Sequence, residues 1–184
     1  GIYASNHISN SHLNPGVSLA AYIEQKIILK ELIYYTIFQV LGAFFAAMTV
    51  YGIYYNNIKD MEDMPATSIF VTYRQDSITT VAAFFTEMLG SALLICGIFV
   101  ILGRKNIAKR APLYIGALLT GITLSFGYQT AFAFNAARDL GPRIWMSIVG
   151  YSPFNYRDSY FWVPIAANYA GAIVGIMVYK VFFK

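Results

Sequence analysis

The chain has 184 residues, of which 58% are hydrophobic, 17% aromatic and only 12% charged. Soluble domains run near a quarter charged, so an ordinary soluble domain is excluded and a membrane protein is indicated. The net charge of +4 does not mark a nucleic-acid surface. Four basic residues, Arg104, Lys105, Lys109 and Arg110, fall in one short run that suits a cytoplasmic loop.

In chain order, the first 26 residues are polar and lack the apolar centre of a signal peptide. The chain opens on Gly1 rather than Met, and the expectation is a start partway through a longer product. Ser11-His12-Leu13-Asn14-Pro15-Gly16 then reads as a helix start. Asn is a preferred N-cap, and proline at the first helical position loses nothing by lacking an N–H. The helix expected over 14–23 is too short to cross a bilayer. A hydrocarbon core of ~30 Å needs about 20 helical residues. Four segments meet that length: 32–55, 79–103, 111–134 and 160–179, with Glu87 the one charge among them. Lipid offers no backbone partners, so each must be helical.

The loop 104–110 is basic without an acid and belongs inside. The loop 56–78 carries Asp60, Glu62, Asp63 and Asp76 against Lys59 and Arg74, which suits the outside. Lys26, Lys30, Lys180 and Lys184 then also fall inside, as an even number of crossings requires. Gly42-x-x-x-Ala46 and Gly171-x-x-x-Gly175 have the spacing that lets membrane helices approach closely. After the third span, Asn135-Ala136-Ala137-Arg138-Asp139 forms a second asparagine-led helix start, expected over 135–149 and again too short to span. Three crossings separate Asn14 from Asn135, so the two half-helices enter from opposite sides, the mark of an inverted repeat. Their positive dipole ends would meet near the midplane, with their asparagine amides facing whatever passes. Irregular backbone at that depth is tolerated only where protein buries it or it lines a wet cavity. Arg138 at such depth needs carbonyls and water to receive it; the alternative is a side chain that snorkels to the interface.

Cys96 is the single cysteine, which rules out an intrachain disulfide and reads as a small buried hydrophobe. Glu87, a carboxylate within a span, invites a functional role, proton coupling included. His7 and His12 have no acidic or cysteine cluster beside them, so no metal site is expected. No phosphate loop or nucleophile–base constellation argues for an enzyme, and no cofactor or nucleic-acid partner is implied.

The SHLNPGV and NAARD motifs, with Gln39–Phe44 and Glu87, resemble the major intrinsic protein family of aquaporins and glycerol facilitators. The resemblance runs over essentially the whole chain. It implies an all-α membrane protein, an aquaporin-like inverted-repeat bundle with two re-entrant half-helices. It further implies a homotetramer, multi-pass in the plasma membrane among lipid. The pore motifs would be Asn14, Pro15, Gly16 and Asn135, Ala136, Ala137, the two asparagines donating to passing oxygens. Arg138 would sit at the constriction, donating to polar solutes and repelling cations. Glu87 would brace a re-entrant loop through backbone N–H groups, with His12 and Asp139 as further supports. Thr123 stands where water-selective members usually place a histidine. Phe132, Asp139, Arg143 and Pro164-Ile165 match the glycerol branch. The implied function is a passive channel for glycerol and similar small polyols, and water. A water-selective channel, or a non-conducting remnant or assembly partner, stays open.

Two departures stand in the motifs: Gly16 replaces an alanine, and Ala136 replaces a proline. Alanine keeps helix propensity but loses the fixed φ. The larger departure is at the front. Six spans are expected and four are present, with residues 1–13 resembling only the tail of the second.

Overall fold

The computed structural model describes residues 1–184 and contains no strand. Eleven helices follow in order: α1 (Ile2–Ser9), α2 (Pro15–Ile23), α3 (Leu29–Ile53), α4 (Tyr55–Ile58), α5 (Asp63–Phe70), α6 (Thr80–Gly103), α7 (Lys105–Ala108), α8 (Ala111–Thr130), α9 (Ala136–Ile148), α10 (Tyr156–Ser159) and α11 (Trp162–Phe182). Four of these, α3, α6, α8 and α11, are long and apolar enough to cross a membrane. The expected span 111–134 is helical only to Thr130. Ala131 takes a left-handed conformation at φ 55° and closes the helix with a last N–H to the Gly127 carbonyl, and residues 132–134 run on outside it. The other spans shift by at most three residues at their ends. The expected loop 56–78 contains α5 and part of α4, both seated on the second cluster described below.

The centre of the bundle is α6 against α11. Gly171 makes this possible: a Cβ there would run into the Met88 carbonyl and Ser91, and one at Gly175 into the Ala92 backbone. Of the two small-residue pairs, this one therefore brings helices together. Gly42 faces nothing within 4 Å, so the other pair makes no such contact within the chain. Around the α6–α11 seam, Val17, Ala20, Ile95, Ile98, Phe134 and Ile176 form the main buried cluster, which seats half-helix α2. Half-helix α9 packs on α3, where Gly141 lies flush on the backbone of Val40 and Phe44. A second cluster, including Ala47, Phe70, Met146 and Tyr156, ties α3, α5 and α9 together on the acidic-loop side. Leu113, Leu124 and Tyr128 on α8 are exposed, as apolar side chains facing lipid would be.

Ion pairs close both ends. On the basic side, Glu24 beyond α2 meets Lys180 at 3.2 Å and Lys184 at 2.6 Å on the end of α11. The Lys184 hydrogen bond, followed in weight by Lys180, holds the Glu24 carboxyl below its ordinary range. On the acidic-loop side, Arg74 pairs with Asp158 at 2.6 Å and Arg157 pairs with Asp76. These crossed pairs hold residues 157–159, all at left-handed φ, against the loop before α6.

Candidate functional site

Each half-helix is capped by its asparagine. The Asn14 Oδ1 accepts from Gly16 N at 2.8 Å, and Asn135 Oδ1 accepts from Ala137 N and Arg138 N at 3.0 and 3.2 Å. The capping oxygen of each amide thus satisfies orphan N–H groups at the helix start, which leaves the Nδ2 donors pointing away. Those donors cross over. Asn14 Nδ2 donates to the Phe134 carbonyl at 2.7 Å, and Asn135 Nδ2 donates to the Leu13 carbonyl at 2.8 Å. Each asparagine therefore holds the residue just before the other, and those two residues share a left-handed backbone, φ 53° at Leu13 and 45° at Phe134. The half-helix tips meet, and the meeting is two-fold in its chemistry. Each Nδ2 carries a second hydrogen that these bonds do not use.

Left-handed backbone at a non-glycine residue costs about 1–3 kcal/mol and persists only where its surroundings hold it. Ala131, Phe132 and Phe134 are all in that region. Glu87, wholly buried on α6, does the holding: its two carboxylate oxygens accept from Ala133 N at 3.0 Å and Phe134 N at 2.8 Å. On the other repeat, His12 Nδ1 lies 3.2 Å from Ser18 Oγ, and Gln39 Nε2 donates to the same hydroxyl at 3.1 Å. The His12 ring packs edge-on against Tyr35 with centroids 5.2 Å apart.

A cleft of about 760 Å³ runs along α3 past both tips, lined among others by His12, Leu13, Gln39, Asn135, Arg138 and Phe70. Arg138 projects from the first turn of α9. Its Nη1 reaches the Phe70 carbonyl at 3.5 Å, and its guanidinium stands 5.8 Å from the centroid of the Phe132 ring. The remaining N–H groups of the fork are left for other acceptors. Pro15 and Gly16 are buried in the first turn of α2, and Ala136 and Ala137 in the first turn of α9. Thr123 lies half-buried on α8 and is not among the residues that line the cleft.

Asp139 is fully buried and accepts from Thr72 N at 2.8 Å and Thr72 Oγ1 at 2.6 Å. It also pairs with Arg143 one turn later. Arg143, itself fully buried, donates to the carbonyls of Pro153 and Thr72, so this one guanidinium ties α9 to the loop that follows it and to the loop between α5 and α6. Sequence reasoning gave Arg143 only a place in a pattern, although an i,i+4 Asp–Arg pair beside a cap is a readable signal. It missed Asn168 on α11, whose carboxamide touches both half-helices.

These features define a helical membrane protein with two re-entrant segments meeting inside the bundle. Residues 1–179 match the family described as Major intrinsic protein, and the chain belongs to that family. It is accordingly an integral, multi-pass membrane protein. It is 38% identical over 192 residues to Aquaglyceroporin-2 of Rhizophagus irregularis, covering 97% of this chain and 61% of the relative. It is 33% identical to human Aquaporin-10, covering 97% and 64%. The X-ray structure of the aquaglyceroporin from Plasmodium falciparum superposes with a TM-score of 0.90 at 32% identity, covering 99% of this chain and 76% of that one. The chain thus spans less than two thirds of the length of these curated relatives.

Proposed function

We propose that the chain forms the pore-bearing part of a passive channel for glycerol and similar small uncharged polyols, with water passing as well. The observation that carries this reading is the crossed pair of asparagine amides beside Arg138. Two Nδ2 groups each hold one hydrogen in the protein and leave one for a solute hydroxyl. A polyol passing the tips exchanges water hydrogen bonds for these donors, then for the guanidinium of Arg138. Its carbons meet apolar wall, with the Phe132 ring on one side of the arginine. A cation meets the positive ends of α2 and α9 and the guanidinium with no carboxylate facing it, and is repelled. Glu87 acts as a brace, since each of its oxygens accepts a backbone N–H of the loop before α9 and it is not among the residues that line the cleft. Likeness to the aquaglyceroporins supports the choice of solute, and with it a homotetramer in the plasma membrane.

The test is stopped-flow light scattering on vesicles carrying the complete product of the gene. Glycerol permeability well above that of empty vesicles is expected. Permeability to water alone would replace this reading by a water-selective channel, and permeability to neither would leave a non-conducting assembly protein. Chemical crosslinking in the native membrane should end at a four-chain species.

A further inference from the structure

We propose that Asn168 is a positioning residue for the pore, a carboxamide strut that holds both half-helix tips and makes the two unusual motif residues, Gly16 and Ala136, necessary. The proposal rests on the channel reading above and adds to it a residue outside both motifs. Asn168 sits in the first half of α11, with no exposed surface. Its Oδ1 accepts from Gly16 N at 3.0 Å on α2 and from Ala136 N at 3.3 Å on α9. Its Nδ2 donates to the Phe134 carbonyl at 2.9 Å and lies 3.4 Å from Ser91 Oγ on α6. The amide can face only one way: reversed, its NH2 would meet two N–H donors and its oxygen would meet a carbonyl. One side chain therefore links the first turns of both half-helices to the α6–α11 seam. It also shares the Phe134 carbonyl with Asn14, whose Nδ2 donates there from the other side at 2.7 Å. That shared acceptor fixes where the second hydrogen of Asn14 points.

Both motif departures lie against this strut. A Cβ on Gly16 would stand 2.8 Å from Asn168 Nδ2, 2.9 Å from Oδ1 and 3.0 Å from Cγ, so glycine leaves the space that the carboxamide fills. Ala136 supplies an N–H at a position where proline would have none. That N–H is buried and Asn168 is its acceptor. Proline at 136 would put a ring carbon about 2 Å from Oδ1, given a C–N bond of ~1.46 Å directed at the oxygen. Gly16 and Ala136 are thus two halves of one accommodation to a polar group on α11.

The prediction is that the effect of each motif substitution depends on Asn168. With Asn168 present, Gly16→Ala and Ala136→Pro each damage the protein. With Asn168→Ala, Gly16→Ala becomes neutral, and Ala136→Pro becomes favourable because it removes the N–H left without an acceptor. The single variants and the two doubles are made in the complete gene product. Each is followed by thermal unfolding in detergent and by glycerol and water permeability per reconstituted protein. Asn168→Ala alone should lower the glycerol-to-water permeability ratio by about threefold or more, the scale of one weakened hydrogen bond at the tips. Ala136→Pro in that background should restore part of it. If a single variant does not fold, the Asn168→Ala double should fold. Additive effects, in which 16 and 136 respond alike with and without Asn168, or doubles that fail to recover, would overturn the strut. Coupled melting temperatures in a product that passes no glycerol would uphold the strut and sink the channel reading instead. Conduction with additive melting temperatures would do the reverse.

Discussion

Replacing Glu87 with leucine tests whether the pore loop is held from α6. The carboxylate is the acceptor for the N–H groups of Ala133 and Phe134, at 3.0 and 2.8 Å, and has no exposed surface. Leucine has similar bulk, so the change removes two acceptors without opening a large cavity. A buried donor left unsatisfied costs about 1–3 kcal/mol, so the pair costs roughly 2–6 kcal/mol. For a protein of this size each kcal/mol moves the midpoint by about 2–4 °C, so a loss on the order of 10 °C is expected. Glu87→Gln keeps one acceptor and turns an NH2 toward the other N–H, so it should lose about half as much. The loss has a functional side. Phe134 and its neighbours hold left-handed backbone only under this constraint, and the Phe134 carbonyl is the acceptor that aims Asn14. Glycerol permeability per folded protein should therefore fall in both variants, further in the leucine one. Thermal unfolding in detergent and stopped-flow permeability on the same preparations read both effects. A Glu87→Leu protein as stable and as permeable as the parent would show that the two N–H groups find other partners and that the brace is mistaken.

Arg138→Ala removes one of the polyol's donors and should lower the glycerol-to-water permeability ratio while admitting monovalent cations, read as a rise in ionic conductance of planar bilayers. Phe132→Ala removes the ring 5.8 Å from that guanidinium and should admit bulkier polyols, read by swelling assays with a polyol series. Arg143→Leu leaves Asp139 buried without its cation, which costs about 3–5 kcal/mol, whereas the double Asp139→Leu/Arg143→Leu should recover only part of that loss, since Thr72 N and the carbonyls of Thr72 and Pro153 stay without these partners. Melting temperatures of the single and double variants decide it. The Glu24 clasp gives a pH signature. Its carboxyl is held low in the folded protein by Lys184 and Lys180, so its stabilisation is complete above the ordinary carboxylate pKa. It fades as the pH falls through the depressed folded value. The acid-side drop in melting temperature should shrink in Glu24→Gln, by no more than about 1 kcal/mol since the lysines are exposed.

The two asparagine-led starts were legible because capping is local chemistry. An Asn followed by small residues states its geometry within one turn, and the odd number of crossings between two such starts orients them oppositely. The four membrane helices were legible for a similar reason, since length and lack of charge are properties of each segment alone. The stretch 131–134 was not. Its residues, Ala-Phe-Ala-Phe, are as apolar as the helix before them, and nothing within the segment says that the helix ends at Thr130. The ending is imposed by Glu87, which captures two N–H groups that an α-helix would have bonded to its own carbonyls. Likewise α5 looked like part of a polar loop, because the apolar surface that stabilises it belongs to Met146 and Ala47 on other helices.

Asn168 makes the same point from the opposite direction. A single carboxamide in an apolar span carries no local instruction, while the glycine and alanine it accommodates look, in sequence, like two unrelated lapses from a motif 120 residues apart. Only the meeting of the two half-helices puts the N–H groups of both within 3.3 Å of that carboxamide's one oxygen. Residues that act through such a meeting are readable as departures before they are readable as causes. A departure in each of two related motifs is therefore a reason to look for one buried polar group between them.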